Sequence, residues 1–213
     1  MNYLLNLDNW PVLVICVGML AAAVIDWWKF KVPNKLTFPL IISGWLLGLA
    51  NNFGLEAGHG GIGAALAGTV LGLALLLPMY AIGGMGAGDV KMTMGFGSWI
   101  GAFYGLPQGL WIILYAFCAG AIIGGVIALG MIIARGNYRQ NISHTREIFG
   151  DFGNSAGIAQ IAEKANARRP RWHRLPYGVP LCIGFIGSLL YLQPPLAGSQ
   201  DANPTTNVVA GSR

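Results

Sequence analysis

The stretch IGAALAGTVLGLALLLPMYAI, Ile62 to Ile82, runs for 21 residues without an acidic or basic side chain. A helix needs roughly 20 predominantly apolar residues to cross a bilayer. The small residues here, from Gly63 to Gly72, let a second helix come close. This stretch therefore predicts a membrane-spanning helix, and its neighbours repeat the pattern. Five further apolar segments run over residues 10–25, 36–50, 90–106, 110–134 and 177–192. The predicted fold class is all-α, a polytopic integral membrane protein with six transmembrane helices.

Composition supports that class. Of 213 residues, 54% are hydrophobic, 32 are glycine and only 10% are charged. A soluble domain carries about 25% charged residues. The net charge of +5 does not point to nucleic acid, because the charges sit in short loops between apolar runs rather than on one basic face. The cysteines, Cys16, Cys118 and Cys182, fall in apolar segments without C-x-x-C spacing, so they are expected to be buried hydrophobes rather than disulfides or metal ligands. The segment MNYLLNLDNW lacks the basic start of a signal peptide, so the first apolar run is expected to be retained.

Loop charges orient the chain. With the N-terminus outside, twelve of the thirteen basic residues fall on cytoplasmic connections, from Lys29, Lys31 and Lys35 through Lys91 to the eight between Arg135 and Arg174. Asp8, Glu56 and Asp201 fall outside. Such a bias is the positive-inside signature of six spans with both termini outside. The expected organisation is a membrane domain over 1–195 with a cytoplasmic loop at 135–176, whose basic end RRPRWHR suits anionic headgroups, and a flexible polar tail at 196–213.

GGMGAGDVKM, Gly83 to Met92, follows the opening stretch directly, and its charges are out of place among apolar residues. Asp89 opens the fourth span; Asp26 closes the first at the same face and matching depth. Ionisable residues at a span are costly and point to function. Each aspartate also has a structural reading. Asp26 suits a helix end beside Lys29, and Asp89 suits an N-cap. As a pair they suit hydrolysis of a peptide bond: two close carboxyls share one proton, the charged one activates water and the other protonates the scissile carbonyl. A helix N-terminus favours negative charge, which makes Asp89 the better candidate for the base.

The surrounding residues fit such a site. Gly83, Gly84, Gly86 and Gly88 allow close backbone approach by an extended substrate, or simply pack helices. Lys91 marks the inside face by snorkelling, with a substrate acid or the dyad as its alternative contact. In DWWKFKVPNKL, Trp27 and Trp28 suit the interface, Pro33 suits the opening of a helix, and Asn34 suits a turn or cap.

These residues resemble the prepilin peptidases, polytopic aspartic proteases that process type IV pilin precursors. The G-x-G-D pattern is matched by Gly86-Ala87-Gly88-Asp89. The upstream aspartate before an Ile/Val-Pro-Asn is matched by Asp26 and Val32-Pro33-Asn34. A late proline-glycine stretch is matched by Leu175 to Pro180. The resemblance implies that Asp26 and Asp89 are catalytic and that Gly86, Gly88, Lys91, Pro33 and Asn34 shape the site. It implies a prepilin substrate with a short basic leader, cut after a glycine at the cytoplasmic face of a bacterial inner membrane. Larger relatives carry paired C-x-x-C motifs and methylate the new N-terminus. This chain has neither pair and resembles the compact branch of Flp or tight-adherence pili, so no S-adenosylmethionine, zinc or other cofactor is expected. Two other readings are a different G-x-G-D intramembrane protease, resembling signal peptide peptidase, and a non-enzymatic transport or assembly subunit. The first would place its leading aspartate deep in a helix within a tyrosine motif. The second would need a charged path across the membrane.

Overall fold

The computed structural model describes residues 10–29, 32–54, 57–81, 85–135 and 177–192. The expected cytoplasmic loop beyond Arg135 and the polar tail lie outside these residues, as do Lys31, Gly83, Gly84 and most of the charges behind the topology assignment. Among the described residues all regular elements are helices: α1 Trp10–Lys29, α2 Asn34–Asn52, α3 Ile62–Ala81, α4 Ala87–Tyr104, α5 Gln108–Arg135 and α6 Gly178–Leu192.

The six expected segments are therefore all helical. They are not equally suited to cross a membrane. Three are long and apolar enough: α1, α3 and the Gln108–Met131 part of α5. Helix α6 is apolar but shorter. Helix α2 has polar ends, Asn34-Lys35 and Asn51-Asn52, and α4 is rich in glycine with Asp89 and Lys91 in its first two turns. The physical reason for α4 is its place in the bundle. From Asp89 to Tyr104 nearly every residue is buried, against α1, α2, α3 and α5. A helix enclosed by other helices has no need of a lipid-soluble surface.

What holds α4 in place is backbone proximity. Gly68 and Gly97 face each other so closely that a Cβ on either would run into the carbonyl of the other. One turn along, a Cβ on Gly72 would lie 2.6 Å from the Thr93 carbonyl oxygen, and one on Gly101 would strike the Ala64 carbonyl. The four-residue spacing of 64, 68 and 72 on α3 answers that of 93, 97 and 101 on α4, a small-residue seam on both partners. Within lipid, helices gain no hydrophobic energy by associating, so close van der Waals contact of this kind carries the interface.

Hydrogen bonds from tryptophan supplement the seam. Buried Trp99 on α4 donates through Nε1 to the Leu40 carbonyl at 2.9 Å and to Ser43 Oγ at 3.2 Å on α2. Trp45 on α2 donates to Thr69 Oγ1 on α3 at 2.9 Å. Trp99→Phe is expected to destabilise the bundle by about 1 kcal/mol, the scale of hydrogen bonds between membrane helices; reversible unfolding in mixed detergent micelles measures it, and an unchanged midpoint would contradict the assignment.

One end of the bundle is closed by main chain. His59 and Gly60 donate to the carbonyls of Phe103 and Ala102 at 2.8 and 3.1 Å, and Asn51 Nδ2 bonds both Gly60 and Ala102 carbonyls at 2.9 Å. Helix α4 then stops at Gly105, whose φ of 74° is open to glycine but strained for other residues. The opposite end gathers the close of α1 and the starts of α2, α4 and α6, and with them both aspartates.

The cysteines correct one expectation. Cys16 and Cys182 are buried, but Cys118 is exposed on the outer surface of α5. An apolar segment on the outside of a helical bundle presents its small hydrophobes outward as readily as inward.

Candidate functional site

Asp26 lies inside the last turn of α1, three residues before its end rather than terminating it, and is buried, 5% exposed. Its inward direction follows from the helical spacing of the buried face, Met19, Ala22, Ala23 and Asp26. Its Oδ2 accepts a hydrogen bond from the backbone N–H of Gly178, the first residue of α6, at 3.1 Å. Helices α1 and α6 pack together, which brings two residues 152 positions apart into contact.

Asp89 is equally buried, but it is not the cap of α4. That position belongs to Gly86, in extended conformation, and Asp89 is the third helical residue. Its carboxyl lies beside the Gly86 amide, three residues back, at the position an acid takes in a capping box. Glycine suits the cap because a Cβ there would sit 3.3 Å from Asp89 Oδ2. The other carboxyl oxygen, Oδ1, is buried with no hydrogen-bond partner among the described residues. One turn further on, Thr93 Oγ1 bonds the Asp89 carbonyl at 3.1 Å.

The two carboxyls, from α1 and α4, are near enough to interact electrostatically. Each also meets a glycine. Of the described glycines, two would bring a Cβ within 4 Å of a carboxylate oxygen: Gly86 at 3.3 Å from Asp89 Oδ2, and Gly178 at 2.8 Å from Asp26 Oδ2. Asp26 thus has one oxygen engaged by a main-chain amide at the start of α6, and Asp89 lies beside the Gly86 amide at the start of α4. A carboxyl pair held in this way can share a proton and polarise a water between them. Among the described residues no three His, Cys, Asp or Glu side chains gather as a metal site would require.

The remaining site residues divide. Pro33 caps α2 at φ −71° and ψ 140°, its carbonyl accepting the amides of Leu36 and Thr37 at 3.0 and 3.3 Å. Asn34 is not a cap: its Oδ1 accepts from Lys91 Nζ at 2.8 Å, and the same ammonium lies 4.6 Å from the centre of the Phe38 ring. Lys91 therefore ties the start of α4 to the start of α2. Gly88 faces buried Val32, where a Cβ would sit 3.0 Å from the valine Cβ. Its visible use is to let the Val-Pro-Asn turn lie against α4, whereas Gly86 is exposed. Because the Lys91 ammonium is partly solvated, Lys91→Met is expected to cost less than about 1 kcal/mol. Unfolding in detergent checks this, and a larger loss would mean that the Asn34 contact anchors the turn.

Within the Leu175 to Pro180 stretch, Tyr177 and Gly178 carry no role that the sequence alone assigns. Gly178 touches Asp26, and the Tyr177 phenol lies within electrostatic reach of Asp89. A glycine between a tyrosine and a helix of apolar residues was the available signal, with nothing in the linear order to say which acid it met.

Comparison with known proteins extends the reading beyond geometry. Residues 13–129 match the profile of the type IV leader peptidase family. The prepilin leader peptidase/N-methyltransferase of Burkholderia pseudomallei is 32% identical over 117 residues, covering 52% of this chain and 35% of that protein. The protein of the same name from Aeromonas salmonicida is 29% identical over 128 residues, covering 57% and 39%. The matched part thus spans little more than a third of these relatives. No solved structure matches the chain. A family match over more than half of the chain, taking in Asp26, the Val-Pro-Asn turn and the Gly86–Asp89 segment, makes this protein a member of the type IV leader peptidase family.

Proposed function

We propose that this protein is a membrane-embedded aspartic endopeptidase that removes the short basic leader from type IV prepilins, with Asp26 and Asp89 as the catalytic pair. The observation that carries this reading is the burial of two interacting carboxyls at one end of the bundle, one of them with an oxygen that has no donor among the described residues. In the proposed chemistry that oxygen and the facing Asp26 carboxyl bracket a water. One carboxyl takes its proton as it attacks the scissile carbonyl, and the other delivers a proton to the carbonyl oxygen. No covalent intermediate forms, and the pair titrates as one unit.

The six helices are read as six spans with the N-terminus outside, which places the pair at the cytoplasmic face of a bacterial inner membrane. Basic residues of the loops then flank the site where a basic leader would rest among anionic headgroups. The substrate is read as an Flp-like prepilin, and no methyl transfer is proposed. Residues Gly86, Gly88, Lys91, Pro33 and Asn34 are read as the frame of the site. The contact of Lys91 with Asn34 favours a structural share in that frame over direct capture of substrate.

The test is cleavage of a prepilin by the purified full chain in lipid or detergent, read by mass spectrometry of the product. A new N-terminus directly after the leader glycine, unmethylated when S-adenosylmethionine is supplied, is the expected result. Uncut prepilin, or cleavage within the apolar segment as by a signal peptide peptidase-like enzyme, would overturn it.

A further inference from the structure

We propose that Gly178 is a positioning residue for the carboxyl pair: its amide and its bare Cα together hold Asp26 at its spacing from Asp89. The inference rests on the hydrolytic reading above and adds a component from α6, beyond the region of the family match.

Two features of Gly178 are needed at once. Its N–H donates to Asp26 Oδ2 at 3.1 Å, which selects the side-chain rotation and leaves the second oxygen for the reaction. Its missing side chain permits that approach, since a Cβ would sit 2.8 Å from Oδ2 and 3.2 Å from both the Asp26 Cβ and Cγ. Any other residue would drive the carboxyl away or tilt α6. The other glycines of α6 behave differently. Gly184 packs against the Gly120 backbone of α5, and Gly187 has nothing within 4 Å of where its Cβ would go.

The neighbour supports the assignment. Tyr177 supplies the carbonyl that starts α6, bonding the Leu181 amide at 3.2 Å, and its phenol lies within electrostatic reach of Asp89. A displacement of α6 therefore moves the amide that holds Asp26, and with it the spacing of Asp26 from Asp89. Small displacements of this kind are costly, because a misplacement of about 1 Å can lower a rate on the order of 100-fold.

Two measurements on the purified full chain test the proposal. In prepilin cleavage, Gly178→Ala is expected to lower kcat about 100-fold with KM within about threefold, since the acids and not the binding surface are displaced. Gly187→Ala serves as the control for alanine in α6 and is expected to cleave normally. In detergent melting, Gly178→Ala is expected to lower the transition of the native chain more than that of the Asp26→Ala chain, where the 2.8 Å approach to Oδ2 is gone and only the 3.2 Å approach to Cβ remains. This double-mutant comparison reads the contact without any catalysis. A Gly178→Ala chain with native kcat beside an active native chain would overturn this inference alone, and so would an equal melting loss in both backgrounds. A native chain that cleaves nothing would overturn the hydrolytic reading itself.

Discussion

Membranes carrying the Asp89→Asn chain are expected to leave the prepilin leader attached, with cleavage reduced by about 10³-fold or more, and Asp26→Asn is expected to match it. The size follows from the loss of general acid–base chemistry, which contributes roughly 10²–10⁴-fold for a single positioned group. Asparagine keeps the shape and an oxygen able to accept the amides that hold each acid, Gly86 for Asp89 and Gly178 for Asp26. The variants should therefore insert and accumulate like the native chain, which separates lost chemistry from lost structure. Because the carboxyls act as one unit, the double variant should be no slower than either single one. Cleavage within tenfold of native by either asparagine variant would remove that acid from the mechanism.

The second large effect is structural. Gly97→Leu is expected to abolish folded, active protein, because the new side chain meets the Gly68 backbone of α3 and no rotamer can relieve a clash with main chain. Gly97→Ala is the graded form, with a loss of about 1–3 kcal/mol, the usual cost of overpacking a tight interior. Gly63→Leu, on the same α3 but facing open space, should be near neutral. Detergent melting and the yield of monodisperse protein distinguish the three. Equal behaviour of Gly97→Leu and Gly63→Leu would show that the seam is not what holds α4. The consequence for function is direct, since α4 carries Asp89 and any widening of the seam shifts it.

The two predictions concern one helix, and its properties explain why some of the molecule was legible in the sequence. Hydrophobic length is a local quantity, so the Ile62–Ile82 stretch yielded α3 to within a residue, and all six segments appear as helices. Pro33 was read as a helix opener for an equally local reason: its fixed φ suits that position and its missing N–H is not needed there. The suitability of α2 and α4 to cross a membrane was less legible, because burial of α4 by its neighbours relaxes the demand for apolar residues. Asp89 as a cap was wrong by three positions. An acid can serve a helix start from the cap or from the third residue, and G-A-G-D permits both until the backbone is seen.

Taken by itself, the sequence determined the helical membrane class and singled out Asp26 and Asp89, because uninterrupted apolar length and misplaced charge are visible along one dimension. Tertiary structure alone decided what each acid touches. Helix α6 must cross α1 before the Gly178 amide can reach Asp26, and α3 must lie against α4 before Gly68 can meet Gly97. Lys91 must face α2 before it can bind Asn34. These are contacts between residues far apart in the chain, made by backbone groups that every residue possesses, so no residue type along the sequence announces them.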